Sequence, residues 1–549
     1  MLFPSFDFLL FLIPVLLVHW ALCHRPKAWV LFLLATSYFF YVGGPKLDPP
    51  QPPWYYVGLL VFSTLLDYVC SQQIHAQRSR LEHPDVGVVY RARRIRNAWL
   101  GTSLVGNLGL LGYYKYTNFL LQAFSDIARS FGLEFVVPHL HILLPIGISF
   151  YTFQTLSYTI DVWRGELTPE PSLSKFALFV VFFPQLVAGP IVRAREFLPQ
   201  LHTRLNLSPA AMQDGLFRIF KGLVKKVVLG DWIAAQFTDR VFDAPETYTS
   251  LEILLALYAF TVQLYADFSG YSDIAIGVAR LMGFRLPENF DRPYQSRNVG
   301  EFWRRWHMTL STWLRDYVFF PLGGSRGSHV RTYFNLWTTM ILVGMWHGAS
   351  WNFVIYANLH AFAMVFNRWN RLRYRAVLTF GRACAWMVGL TLGAVTLAWL
   401  VHEILLLPLD TALVLACTCA ATFLLVAWLP DTGTSVHAAA HVVLTFHFTV
   451  LTRVFFRADD LDTSRKMVAG LMGFDGHGIR PGLVSPWVWG VLTVGLAVHF
   501  LPKHWIDDVA ARWFGRLPGV AIGVAFAALG FLLAQLLSSG PRAFIYFQF

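Results

Sequence analysis

The 549-residue chain is 56% hydrophobic and only 14% charged, with 48 Phe, 20 Trp and a formal net charge of +12. A soluble domain of this size needs roughly a quarter of its residues charged to cover its surface, so the composition excludes one and points to an all-α polytopic integral membrane protein. The basic residues fall in short loops between apolar runs, where the positive-inside rule accounts for them, and no nucleic acid partner is implied.

Apolar runs long enough to cross or enter a bilayer recur at 7–22, 28–43, 54–70, 98–113, 142–160, 174–190, 251–266, 333–346, 351–366, 381–406, 411–429, 438–456, 486–501 and 519–538. No soluble domain fits between them, so residues 1–549 read as one membrane-embedded domain. The run from Leu9 to Leu22 has no basic segment before it and no small-residue cleavage site after it, so no cleavable signal peptide is expected. The loop from Ser71 to Asn97 carries Arg78, Arg80, Arg91, Arg93, Arg94 and Arg96 against Glu82 and Asp85, and is expected in the cytoplasm. Counting back, the Gly43–Pro53 loop, with Lys46 its single basic residue, is outside. The His24–Lys27 loop is then inside and the N-terminus extracytoplasmic. Cys23, Cys70, Cys384, Cys417 and Cys419 show neither metal nor redox spacing. They read as small core or lipid-facing residues, and no metal site is expected.

The polar centre lies at about 265–361. Ionisable groups at membrane depth are costly and need a buried or wet reason to exist. In the run from Asp267 to Asp273, two carboxylates and Gly270 interrupt apolar sequence. One reading is a helix break whose backbone groups are satisfied by Ser and Asp side chains; the other is that Asp267 or Asp273 orients a catalytic group. After the loop from Pro287 to Pro293, Asn298 and Glu301 have capping-box spacing. The helix they predict carries Trp303, Arg304, Arg305, Trp306 and His307, continues through Arg315 and Asp316, and stops before Pro321. It places Trp303, His307 and Leu310 on one face and Arg304, Ser311 and Arg315 on a neighbouring one. Such an amphipathic helix suits the interface, with Arg304 and Arg305 toward headgroups. His307 is then either a hydrogen-bonded buried imidazole or a functional one.

The loop from Gly323 to Arg331 has Arg326 and Arg331 and no acid, and is expected in the cytoplasm. The run from Tyr333 to Trp346 climbs roughly 20 Å at 1.5 Å per residue, which carries His347 beyond the middle of a core about 30 Å thick. Trp346, Gly348 and Trp351 flank it, and Asn358 falls eleven residues on along the same helical face. By the rule that intramembrane ionisable groups mark sites, His347 is the prime candidate.

At these residues a resemblance becomes specific. The chain resembles membrane-bound O-acyltransferases of the bacterial branch that includes the alginate O-acetylation and teichoic-acid D-alanylation membrane proteins. The matching stretches are Leu144–Phe150, Phe183–Ile191, Asp267–Asp273, Phe302–Tyr317, Pro321–Gly324, Trp346–Ala349, Val454–Ala458 and the terminal Phe544–Phe549, in the family's order. The alginate type is the nearer likeness. Two departures stand out: His360 is followed by Ala361 where a second His-Gly is expected, and Tyr356 stands where a Trp is more usual.

The resemblance implies a ring of transmembrane helices around a central funnel or tunnel. It also implies His347 as principal catalytic histidine and His307 as the second, in a bacterial inner-membrane enzyme. Trp303, Arg304, Arg305, Arg315, Asp316, Trp346, Trp351, Asn358, Asp267 and Asp273 are the candidate lining residues. By the same likeness the donor is acetyl-CoA, with no permanently bound cofactor. The acceptor is an extracytoplasmic polysaccharide, and the partner an extracytoplasmic SGNH-type acetyltransferase or esterase-like protein. A neutral imidazole takes the proton of an attacking hydroxyl, or itself carries the acyl group. The oxyanion needs a donor that the sequence does not name. Two rivals remain: a transporter or flippase, in which mid-membrane His and Asp relay protons, and a non-catalytic scaffold for an extracytoplasmic transferase.

Overall fold

The computed structural model describes residues 3–43, 53–133, 137–138, 140–187, 189–373, 435–473 and 478–536. The runs predicted at 381–406 and 411–429, Lys46, Cys384, Cys417, Cys419 and the Phe544–Phe549 stretch lie outside the described residues. Among the described residues the chain is helical, without a strand. Helices Phe6–Leu22, Pro26–Val42, Pro53–Ala76, Ser435–Arg457, Pro486–Phe500 and Gly519–Leu536 cover predicted runs. Local chemistry sets several starts. Ser5 accepts the Phe8 N–H, and Thr249 and Glu252 form a reciprocal capping box ahead of Ser250–Leu281. Ser328 caps His329–His347, so that helix begins earlier than the hydropathy run suggests.

Tyr55–Glu82, Ser250–Leu281 and Ala438–Arg457 are long and apolar enough to cross a membrane, and Trp505–Gly515 with Gly519–Leu532 forms a bent pair at 119°. Phe6–Leu22, Pro26–Val42 and Pro486–Phe500 are apolar but shorter. Fewer of the described runs are therefore full-length straight spans than hydropathy suggested. Pro and Gly explain part of the shortfall. The run at 174–190 divides into Leu173–Val181 and Phe183–Leu186, with Pro184 in the first turn of the second piece. The run at 142–160 becomes helical only at Ile148, after Pro145 and after Gly147, whose φ of 76° is left-handed.

Helix Ser250–Leu281 runs unbroken through Asp267–Asp273, which corrects the expected helix break. The glycines there serve close approach. A Cβ on Gly270 would meet the Gly222 carbonyl oxygen at 2.7 Å, and one on Gly277 the Gly215 carbonyl oxygen at 2.7 Å. The helix therefore packs backbone to backbone against Pro209–Leu223 and the π-helical segment Val224–Trp232 that continues it. The carboxylates meet cations of that segment. Lys226 is buried, bridges Asp231 at 2.6 Å and also pairs with Asp267. Asp273 faces Lys225 at 2.8 Å and Lys221 at 3.4 Å.

Replacing Lys226 by Met removes a cation that two buried carboxylates share. Losing one partner of a buried ion pair costs about 3–5 kcal/mol, so Lys226→Met should lower the unfolding temperature in detergent and deplete the protein from membranes. Unchanged thermal stability would contradict this pairing. Orientation is tested separately: single cysteines at Asp85 and Ser328 should escape a membrane-impermeant thiol reagent in intact cells, and strong labelling of either would reverse the assigned topology.

Candidate active site

The His347 imidazole is the last residue of helix His329–His347 and is buried. Its Nδ1 lies 2.6 Å from the Val343 carbonyl oxygen one turn back. A carbonyl only accepts, so the ring proton sits on Nδ1 and Nε2 is the basic nitrogen. The helix ends at Gly348, where nothing larger than glycine fits: a Cβ there would lie 2.0 Å from the Phe353 ring. The next helix, Trp351–Arg373, folds back against the first.

His347 lines a narrow cavity of about 60 Å³ with Lys115, Trp346, Val187 and the stretch from Leu144 to Phe150. Residues far apart in sequence thus meet at one point. Gly147 tightens the wall, since a Cβ there would come 2.9 Å from the Leu186 carbonyl oxygen. Lys115 belongs to the π-helical turn Gly112–Tyr116. Its ammonium donates to the carbonyls of Trp346 and of His347, the latter at 3.3 Å. The neighbouring Tyr116 hydroxyl donates to the Met345 carbonyl at 2.7 Å.

His307 lies behind this wall. Its ring centroid is 5.3 Å from that of Trp346, which in turn is 5.2 Å from that of His347. The continuous helix expected from Asn298 to Asp316 is instead two helices, Val299–Arg305 and Met308–Leu314, broken at His307. The cause is the preceding loop, which captures the backbone. The Asp291 N–H donates to the Arg305 carbonyl, and the Met308 N–H to the Asn289 carbonyl, each at 2.9 Å. His307 itself is left-handed, with φ 44°, a conformation seldom held without a compensating reason. The common faces expected for Trp303, His307 and Leu310, and for Arg304, Ser311 and Arg315, therefore do not form. The capping box is half present: Asn298 accepts the Glu301 N–H at 2.9 Å, but the Glu301 carboxylate takes the Arg297 N–H instead.

Asn289 fixes the His307 tautomer. Its Oδ1 accepts from Thr309 Oγ1 at 2.9 Å and from His307 Nδ1 at 3.1 Å. His307 Nε2 is then a buried lone pair with no hydrogen-bond partner among the described residues, which is uncommon in proteins and asks for an explanation.

The other sequence candidates divide. Trp346 is buried and in ring contact with both histidines. Buried Trp303 donates to His360 Nδ1 at 3.3 Å, so this face of the helix packs inside the protein. Arg304 is exposed, and Arg305 bridges Glu301 at 2.8 Å. Trp351 donates to Asp126 at 3.3 Å, and Asn358 to the Val354 carbonyl at 2.8 Å within its own helix, so neither lines the cavity. The shared face proposed for His347 and Asn358 is lost at the break after His347. Asp267 and Asp273 are spent on lysines.

Asp316 bridges Arg193 at 3.0 Å, and Arg315 is exposed beside it. Asp316 lines a second pocket of about 580 Å³ with Arg164, Arg193, Arg195 and Tyr317. Helix Ile148–Arg164 joins the two cavities: its first turn lines the His347 cavity and its last residue the arginine pocket. That is a separation of roughly 24 Å at 1.5 Å per residue.

Sequence reading missed Lys115, Asn289 and Arg453. Arg453 is buried, donates to the Tyr356 hydroxyl at 3.3 Å and lies 4.9 Å from the Trp306 ring. An ionisable residue just after an apolar run (Lys115) or inside one (Arg453) was the available signal; Asn289 gave none.

Comparison with known proteins agrees with this architecture. The sequence profile of the membrane-bound O-acyltransferase family matches residues 164–407. The chain is 42% identical over 372 residues to the probable alginate O-acetylase AlgI of Pseudomonas aeruginosa, which covers 67% of this chain and 66% of that protein. It is 40% identical over 374 residues to the probable alginate O-acetylase AlgI of Azotobacter vinelandii, covering 68% and 69%. The chain belongs to the membrane-bound O-acyltransferase family. Its bacterial O-acetylation branch includes the peptidoglycan O-acetyltransferase of Helicobacter pylori, 34% identical over 401 residues with 68% and 70% covered. Membership makes this chain an O-acyltransferase. Its alignments span about two thirds of the length of these relatives.

Proposed function

We propose that the chain transfers an acetyl group from acetyl-CoA, presented at the cytoplasmic face, to the hydroxyls of an extracytoplasmic polysaccharide of the alginate or peptidoglycan kind. The observation that carries this reading is the convergence of separated parts of the chain, Lys115, Leu144–Phe150, Val187 and Trp346–His347, on one narrow cavity in a chain of this family. The helices are read as a ring around a central tunnel. The arginine pocket, whose lining reaches Phe320 and Pro321 just before the Gly323–Arg331 loop, is read as its cytoplasmic mouth, with His347 deeper. The acceptor hydroxyl attacks the thioester carbonyl, forming the C–O bond, while His347 Nε2 takes its proton. Collapse re-forms the carbonyl and breaks the C–S bond, and the thiolate leaves with that proton. An extracytoplasmic SGNH-type protein is its partner on the glycan side, with this chain held in the bacterial inner membrane and its N-terminus outside.

The test is twofold. Cells lacking the chain should lose O-acetyl groups from one surface glycan and regain them with the wild-type gene. Inverted vesicles carrying it should release free thiol from acetyl-CoA. Glycan transport without thiol release would favour a flippase instead.

A further inference from the structure

The oxyanion formed in that transfer needs a donor, and the cavity offers a charged one. Lys115 and His347 both line it. A lysine ammonium has three N–H donors. Two of them go to the Trp346 and His347 carbonyls at the end of the helix that carries the imidazole. These bonds do two things. They satisfy helix-terminal carbonyls that lack an intrahelical partner, and they anchor a flexible side chain so that its ammonium stays fixed at the cavity wall. The Tyr116 hydroxyl, bonded to the next carbonyl back, locks the same turn. A preorganised cation at the wall of a narrow cavity is the arrangement that stabilises developing negative charge best, because nothing has to reorient during the reaction.

We propose that Lys115 is a catalytic residue whose remaining N–H donates to the carbonyl oxygen of the thioester as it becomes the oxyanion. This rests on the reading of His347 as the base. As the hydroxyl oxygen attacks, the carbonyl π electrons move onto oxygen and Lys115 bonds that oxygen. When they return, the C–S bond breaks and the imidazolium proton follows the sulfur. The ammonium keeps its own protons throughout. The two carbonyl bonds make Lys115 a strut for His347 as well, so one side chain couples the position of the base to the position of the oxyanion donor.

The experiment compares Lys115→Met, Lys115→Gln and Lys115→Arg. It follows acetyl-CoA-dependent thiol release in inverted vesicles, corrected against vesicles from cells lacking the chain, with membrane abundance normalised. Removing one oxyanion donor lowers kcat by about 10²–10³-fold. Lys115→Met should lose kcat on that scale while KM for acetyl-CoA moves less than about threefold, and Lys115→Arg should recover at least about tenfold over Met by restoring the charge. A purely structural strut predicts a different pattern, in which Gln, an uncharged donor to the same carbonyls, restores kcat. Turnover by Lys115→Gln or Lys115→Met within about threefold of wild type overturns the proposal. If Met fails to reach the membrane, the Gln and Arg pair decides it by the same criterion. A His347→Gln variant run in parallel separates the premises. Activity kept there and lost in Lys115→Met would dismiss His347 as base and leave Lys115 standing.

Discussion

Cells carrying His347→Ala are expected to hold normal amounts of the protein in the membrane and to lose glycan O-acetylation by at least about 10²-fold, the low end for a positioned acid–base group. The imidazole closes a helix whose last carbonyls are held by Lys115 and Tyr116, so the turn survives loss of the ring. The chemistry does not survive, because the Val343 carbonyl fixes the proton on Nδ1 and leaves Nε2 as the base. His347→Gln sharpens the test. A glutamine amide can still donate to Val343 and fill much of the ring's volume, but it cannot take the hydroxyl proton. Glycan acetyl content and membrane abundance are measured together. Near-normal acetylation by His347→Gln would exclude base and nucleophile roles and favour a scaffold. Lost abundance would make the residue structural.

What the sequence made legible follows from which interactions are local. Hydropathy located most of the described helices, and Asn298, as read, caps its helix. His347 stood out because an imidazole after an apolar run is physically expensive. Most of the errors about the site have one physical source, which is contact between segments that the local sequence does not announce. Gly270 reads as a helix breaker until Gly222 is seen against it, when it becomes the reason two helices can touch. Asp267 and Asp273 look like orphan acids until Lys226 and Lys225 arrive from the preceding helical segment. Asn358 seemed to share a face with His347 because nothing local announces that Gly348 ends the helix under the Phe353 ring. Lys115 closed an apolar run that looked complete without it, and only the fold carries it to the end of a helix 231 residues later.

The break at His307 is the error with the most chemical content, because a capped, continuous helix would have aimed that ring elsewhere. Residues at positive φ are mostly Gly, Asn or Asp, so His307→Asn should keep the left-handed turn and the fold while removing the imidazole. Acetylation is expected to fall by at least about 10²-fold in that variant, through loss of the buried Nε2 lone pair that has no hydrogen-bond partner among the described residues. His307→Gly, which relieves the backbone conformation entirely, should be folded and equally inactive. Asn298→Ala serves as the contrast. It removes the cap of the preceding helix at a cost of about 1 kcal/mol and should lower acetylation only modestly, since its side chain meets Glu301 and Asn367 rather than the cavity. Acetylation is compared across the three variants at equal membrane abundance. If His307→Asn and Asn298→Ala show the same mild loss, His307 is a packing residue, and its strained backbone serves only to turn the chain under Trp346.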